Sequence, residues 1–181
     1  VPTRIGRIAL CHALTPKGGI RSEFTITKLA EQRFYVVSAG AAERYDHDYL
    51  VKKLPADGSV QLENITQARG CFVVAGPRSR ELFSRLTDTP LDNASFPWLT
   101  GKVLEVGLAV DVFMLRVNFV GALGWELHFP MVYAHHLFDA LFSAGQDLGI
   151  GMVGMRAMES LRMEKSYRMW GSDMTRDYTP F

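Results

Sequence analysis

Three places in this 181-residue chain combine residue type and spacing in ways that could do chemistry. Glu23 opens a stretch of alternating polarity just after the Gly18-Gly19 pair, where a carboxylate at a strand end can project into a cleft. A solvated strand residue is the other reading, and composition does not choose between them. Glu126 follows Trp125 and a glycine turn (Gly121, Gly124) and precedes the apolar run Leu127 to Phe129. A carboxylate in such surroundings needs a partner. Paired N–H donors of an aminopyridine-like ring would suit it, and an internal ion pair with Arg116 would do so equally. The third place is Glu159 to Arg168, where Glu159 and Arg162 are three apart and Glu164 and Arg168 four apart, the spacing of stabilising pairs on a helix surface.

Other chemistries lack their signatures. There is no Walker sequence, no dinucleotide fingerprint and no nucleophile elbow. His135 and His136 are adjacent and so point to different helix faces, and His12, His47 and His128 have no patterned carboxylate or Cys partner, so no metal site is expected. Cys11 and Cys71 lie in apolar, strand-like surroundings and read as two buried, reduced thiols. With 20 Lys plus Arg against 19 Asp plus Glu, scattered along the chain, no nucleic-acid footprint is expected. No apolar stretch reaches the roughly 18 residues of a membrane-spanning helix. A content of 48% hydrophobic and 22% charged residues is that of a folded chain and excludes disorder.

The elements that must hold these residues follow from periodicity. Residues 5–15 and 22–29 alternate about a Gly-rich turn and predict a hairpin, 33–38 a third strand, and 41–54 a helix ended by Pro55. Strands are expected at 60–65 and 70–75, the latter wholly apolar as a buried central strand would be. A short helix over 77–86, strands over 102–108, 110–119 and 125–129, a helix over 133–148 and another over 152–165 complete the pattern, with 167–180 irregular. Segregated strands and helices predict an α+β fold of two packed lobes of antiparallel or mixed sheet with helices, residues 1–66 and 67–181.

Four stretches (18–38, 68–87, 115–130 and 154–180) resemble, in order and spacing, the folate-binding region of the glycine cleavage T-protein family. Within it they look most like the carboxy-terminal half of dimethylglycine and sarcosine dehydrogenases. Leu161-Arg162-x-Glu164-Lys165 and Arg168-x-Trp170-Gly171-x-Asp173 carry the likeness to that branch. The resemblance implies a piece of a longer polypeptide, incomplete in its first lobe, without the family's final barrel-like domain, and with a flavin domain expected before Val1.

The resemblance further implies tetrahydrofolate as cofactor, with FAD only in the preceding flavin domain. Glu126, in Gly-Trp-Glu, matches the family's pterin-binding Glu. Glu23 stands where the family commonly places an Asp that assists proton transfer at the folate amine, and the longer side chain moves the carboxylate outward by roughly one C–C bond. Phe119, Ser38 and Trp125 would line the site. Phe119 replaces a usual Tyr, Val120 a Thr and Ala122 a Glu, which weakens one polar contact while leaving a ring that can stack. The implied activity is one-carbon acceptance from a flavin-oxidised N-methyl amine or imine, giving 5,10-methylenetetrahydrofolate. A stand-alone aminomethyltransferase or methyltransferase, and a non-catalytic folate-binding accessory protein, are the alternatives. A dinucleotide fingerprint upstream of Val1 would separate the first from the second. The expected compartment is the cytoplasm in a bacterium and the mitochondrial matrix in a eukaryote, with no nucleic-acid or membrane partner.

Overall fold

The computed structural model describes residues 1–180. It is an α+β fold in two compact units, Val1–Thr66 joined by the closing segment from Met169, and Gln67–Arg168. The closing segment, expected with the second lobe, belongs to the first unit: Ile20 N–H donates to Tyr178 O and the Trp170 indole to Arg21 O.

In the first unit, β1 (Ile8–Leu14), β2 (Ile20–Ala30) and β3 (Arg33–Val37) form an antiparallel sheet in chain order. Gly18 turns the β1–β2 hairpin at φ +84°, and a Cβ on Gly19 would lie 2.0 Å from Arg176 O, so only glycine admits the closing segment there. The helix α1 (Glu43–Val51) is tied to β2 by a 2.6 Å hydrogen bond from Ser22 Oγ to Asp46 Oδ1, both residues being buried. The guanidinium of Arg21 lies over the rings of Tyr45 and Tyr49, at 4.2 and 4.4 Å. The strand expected at 60–65 is not formed. Most of that segment is exposed, and Asn64 turns it by accepting from Thr66 N–H, so it has neither a partner strand nor a buried face.

The second unit holds β4 (Arg69–Ala75), α2 (Ser79–Ser84), β5 (Gly101–Val106), β6 (Ala109–Leu115), β7 (Gly124–Pro130), α3 (Ala134–Gly145) and α4 (Met155–Glu164). Its antiparallel sheet runs β4-β7-β6-β5. Apolar β4 is therefore an edge strand and not a central one, and its burial alternates along the strand. Alternation divides the sheet cleanly. One face, with Val112, Met114, Trp125, Leu127 and Phe129, packs against Leu82 and Phe83 of α2 and Leu137 and Leu141 of α3. The other face carries Cys71, Glu126 and His128. Gly149, at φ +75°, ends the last turn after α3. Among the described residues no helix is long and apolar enough to cross a membrane.

Candidate functional site

Strand register builds the group around Glu126. On β7, Glu126 and His128 are two residues apart and share a face, and Cys71 on β4 pairs directly with His128. His128 Nε2 lies 3.3 Å from Glu126 Oε2 and 3.8 Å from Cys71 Sγ. The His128 side chain is 6% exposed and that of Glu126 22%. Oε1 of Glu126 has no hydrogen-bond partner among the described residues, which leaves the carboxylate half engaged and half available. Dense local surroundings, and then the Glu126 charge, push the Cys71 thiol up to about 12. Three expectations are corrected here. Cys71 is exposed and Cys11 half-buried instead of both being buried, and His128 has both a carboxylate and a thiol beside it. His12 likewise has a carboxylate partner, in Glu23.

Arg116 does not pair with Glu126. Its guanidinium donates to Phe96 O and Asn93 Oδ1 at 2.5 and 2.7 Å, and burial, with Arg80 adding to it, pulls its pKa down. Trp125 is fully buried on the core face, its ring edge-on to Phe96 at 5.0 Å and Phe83 at 6.1 Å. It therefore anchors the strand that presents Glu126 and faces away from the carboxylate.

The β6–β7 connection is braced by buried Asn118, whose Nδ2 donates to Ala122 O and whose Oδ1 accepts from Val120 N–H. A Cβ on Gly124 would lie 2.7 Å from that amide, so glycine is required where the connection meets β7. Phe119 on this loop is near-parallel to Tyr167, with centroids 6.4 Å apart, and Arg162 lies 5.9 Å from the Phe119 ring. Arg162 also bonds Glu159 and Tyr167 O and is only 4% exposed, so the pair joins a buried guanidinium to a carboxylate whose side chain is 41% exposed. No Glu164–Arg168 ion pair forms among the described residues.

In the first unit Glu23 faces His12 across the β1–β2 ladder, with Oε2 2.9 Å from Nε2 and side chains 20% and 25% exposed. Glu23 is thus neither freely solvated nor enclosed. Ser38 is half-buried directly after β3, whose Val37 pairs with Thr25, two residues beyond Glu23 on β2. Sequence reasoning missed His12, His128 and Cys71 as partners. The Glu-x-His spacing at 126 and 128 was visible, whereas Cys71 needed the strand register.

All 181 residues match the GCVT N-terminal domain. The chain belongs to that family. It is 34% identical over 178 residues to mitochondrial dimethylglycine dehydrogenase of Homo sapiens, which covers 98% of this chain and 20% of the relative. To the aminomethyltransferase of Porphyromonas gingivalis it is 30% identical over 176 residues, 97% of this chain and 48% of the relative. The chain therefore spans only a fifth to a half of these relatives. The glycine cleavage system aminomethyltransferase T of Bartonella henselae superposes with a TM-score of 0.79 at 26% identity, covering 98% of this chain and 45% of that one. The two-unit α+β architecture is thus the T-protein fold, in a domain related to both aminomethyltransferases and dimethylglycine dehydrogenases.

Proposed function

We propose that this chain is the tetrahydrofolate-binding, one-carbon-accepting part of a flavin-dependent N-methyl amine dehydrogenase of the dimethylglycine or sarcosine type. The observation that carries the reading is the half-engaged Glu126 carboxylate, steadied by His128 on one oxygen and open on the other. An ionised carboxylate of this kind suits the paired N–H donors of a pterin edge, and charge-assisted hydrogen bonds are about twice as strong as neutral ones. Phe119, with Tyr167 and Arg162 fixing its ring, is assigned to the apolar lining. Trp125 acts through packing, because it faces the core.

Bound tetrahydrofolate supplies the nucleophilic amine that captures a carbon at the formaldehyde level as the 5,10-methylene form. Glu23, held at 2.9 Å by His12, is assigned the proton that leaves this amine, and Ser38 is assigned a contact to the folate. Oxidation of the N-methyl amine requires a flavin. With no dinucleotide fingerprint in this chain, FAD is assigned to another domain of the same polypeptide.

The 0.79 TM-score to an aminomethyltransferase favours, as the second reading, a stand-alone enzyme that takes its carbon from a carrier-bound aminomethyl group. Calorimetric titration of folinic acid into the full-length protein tests the common ground of both. Binding in the micromolar range, about −8 kcal/mol, is expected, with loss in Glu126→Ala and retention in Glu23→Gln. A well-folded protein that does not bind refutes both readings.

A further inference from the structure

Cys71, Glu126 and His128 offer a sulfur, a carboxylate oxygen and an imidazole nitrogen, all within 4.8 Å of one another, on two hydrogen-bonded strands. Tetrahedral Zn2+ takes sulfur at about 2.3 Å and nitrogen or oxygen at about 2.0–2.1 Å, so two ligands on such an ion are separated by about 3.6 Å for S···N and about 3.3 Å for N···O. Here Cys71 Sγ and His128 Nε2 are 3.8 Å apart, and His128 Nε2 and Glu126 Oε2 3.3 Å. Two edges of the trio thus match those of a zinc coordination tetrahedron, and the third, Cys71 to Glu126, is at most 4.8 Å, within reach of a side-chain adjustment.

We propose that Cys71, Glu126 and His128 form a mononuclear site for a borderline-soft divalent cation of the Zn2+ class. One thiolate and one imidazole among three ligands select against Mg2+ and Ca2+, which require oxygen shells. On binding, the Cys71 S–H bond breaks, its proton goes to solvent, and the sulfur lone pair forms the metal bond. Thiolate and carboxylate together then neutralise the cation. Three protein ligands leave the fourth position to water, as in open zinc sites. Because Glu126 is shared, metal and pterin exclude one another. That consequence rests on the folate reading above, whereas metal binding itself does not.

The test is a Co2+ titration of the reduced, chelator-treated full-length protein, followed by the near-ultraviolet thiolate-to-cobalt charge-transfer band. One equivalent should develop the band, Cys71→Ser should abolish it, and Cys11→Ser should leave it intact. His128→Gln should weaken binding at least tenfold, since even outer-shell losses cost about 10–100-fold. Cys71 is exposed on an edge strand, so its serine variant keeps the fold and decides the matter even if the buried His128 variant does not. No band, or a band that survives in Cys71→Ser, overturns the site and leaves only a hydrogen-bonded trio. A cobalt band in a protein that fails to bind folinic acid would uphold the site and refute the folate reading, and the converse pair of results would do the reverse.

Discussion

Gly70→Ala is expected to destabilise the second unit by about 1–2 kcal/mol through a single contact. Gly70 sits on β4 opposite Phe129 of β7, and a Cβ there would lie 2.4 Å from Phe129 Cε2 and 2.7 Å from its Cζ. Carbon atoms prefer about 3.5–4.0 Å, so the ring would have to shift by on the order of 1 Å. It has no room to do so, being 0% exposed with Phe72 at a centroid distance of 4.8 Å. Overpacking of this kind costs about 1–3 kcal/mol, against about 0.4–1 kcal/mol gained from the reduced entropy of the unfolded chain. The clash therefore wins. Urea unfolding followed by tryptophan fluorescence reads the loss, and at about 2–4 °C per kcal/mol for a chain of this size a melting shift should be measurable. In a Phe129→Leu background the ring edge is gone, and the same substitution should become neutral or stabilising. An equal cost in both backgrounds, or stabilisation in the parent, would refute the steric account. The next pair along the ladder is Cys71 and His128, so Gly70→Ala should also weaken the site on that face.

Three further outcomes are expected. Ser22→Ala removes the hydroxyl that donates to the buried Asp46 carboxylate and should cost about 2 kcal/mol or more in urea unfolding, while Asp46→Asn should cost less. Asp92, held down to about 2 by hydrogen bonds from Ser95 and Ala94, stabilises the fold fully above about pH 4 and loses that contribution as pH falls towards 2. Asp92→Asn should accordingly flatten the fall in melting temperature between pH 4 and pH 2, and an unchanged slope would contradict this. Glu23→Gln, assayed for methylenetetrahydrofolate formation in the full-length protein, should lower the rate by about 10²–10⁴-fold while folinic acid binding holds.

Much of this fold was legible because local signals agreed with one another. The alternation about Gly18-Gly19 gave the β1–β2 hairpin, and the apolar stripe Leu137, Leu141 gave α3. Residues 60–65 misled because β-branched residues favour a strand only where a neighbour exists to pair with, and none does. Residues 70–75 read as a central strand since an apolar run does not reveal its position in a sheet order. The oddity of Glu126 was visible in its apolar flanks, and so was His128 two residues on, but the third member of the group was not. Arg116 was near in sequence and Cys71 far, yet antiparallel register brings Cys71 and not Arg116 to the carboxylate's side of the sheet. Register also sets Trp125 on the opposite face from Glu126, as adjacent residues on a strand must be.

The central claim is that Glu126 receives the pterin. A crystal structure of the full-length protein with folinic acid, grown in zinc-free buffer, tests it most directly. The account predicts the pterin N–H edge about 2.7–2.9 Å from both Glu126 oxygens, beside the Phe119 ring. A pterin bound elsewhere, with Glu126 still engaged only by His128, would contradict it.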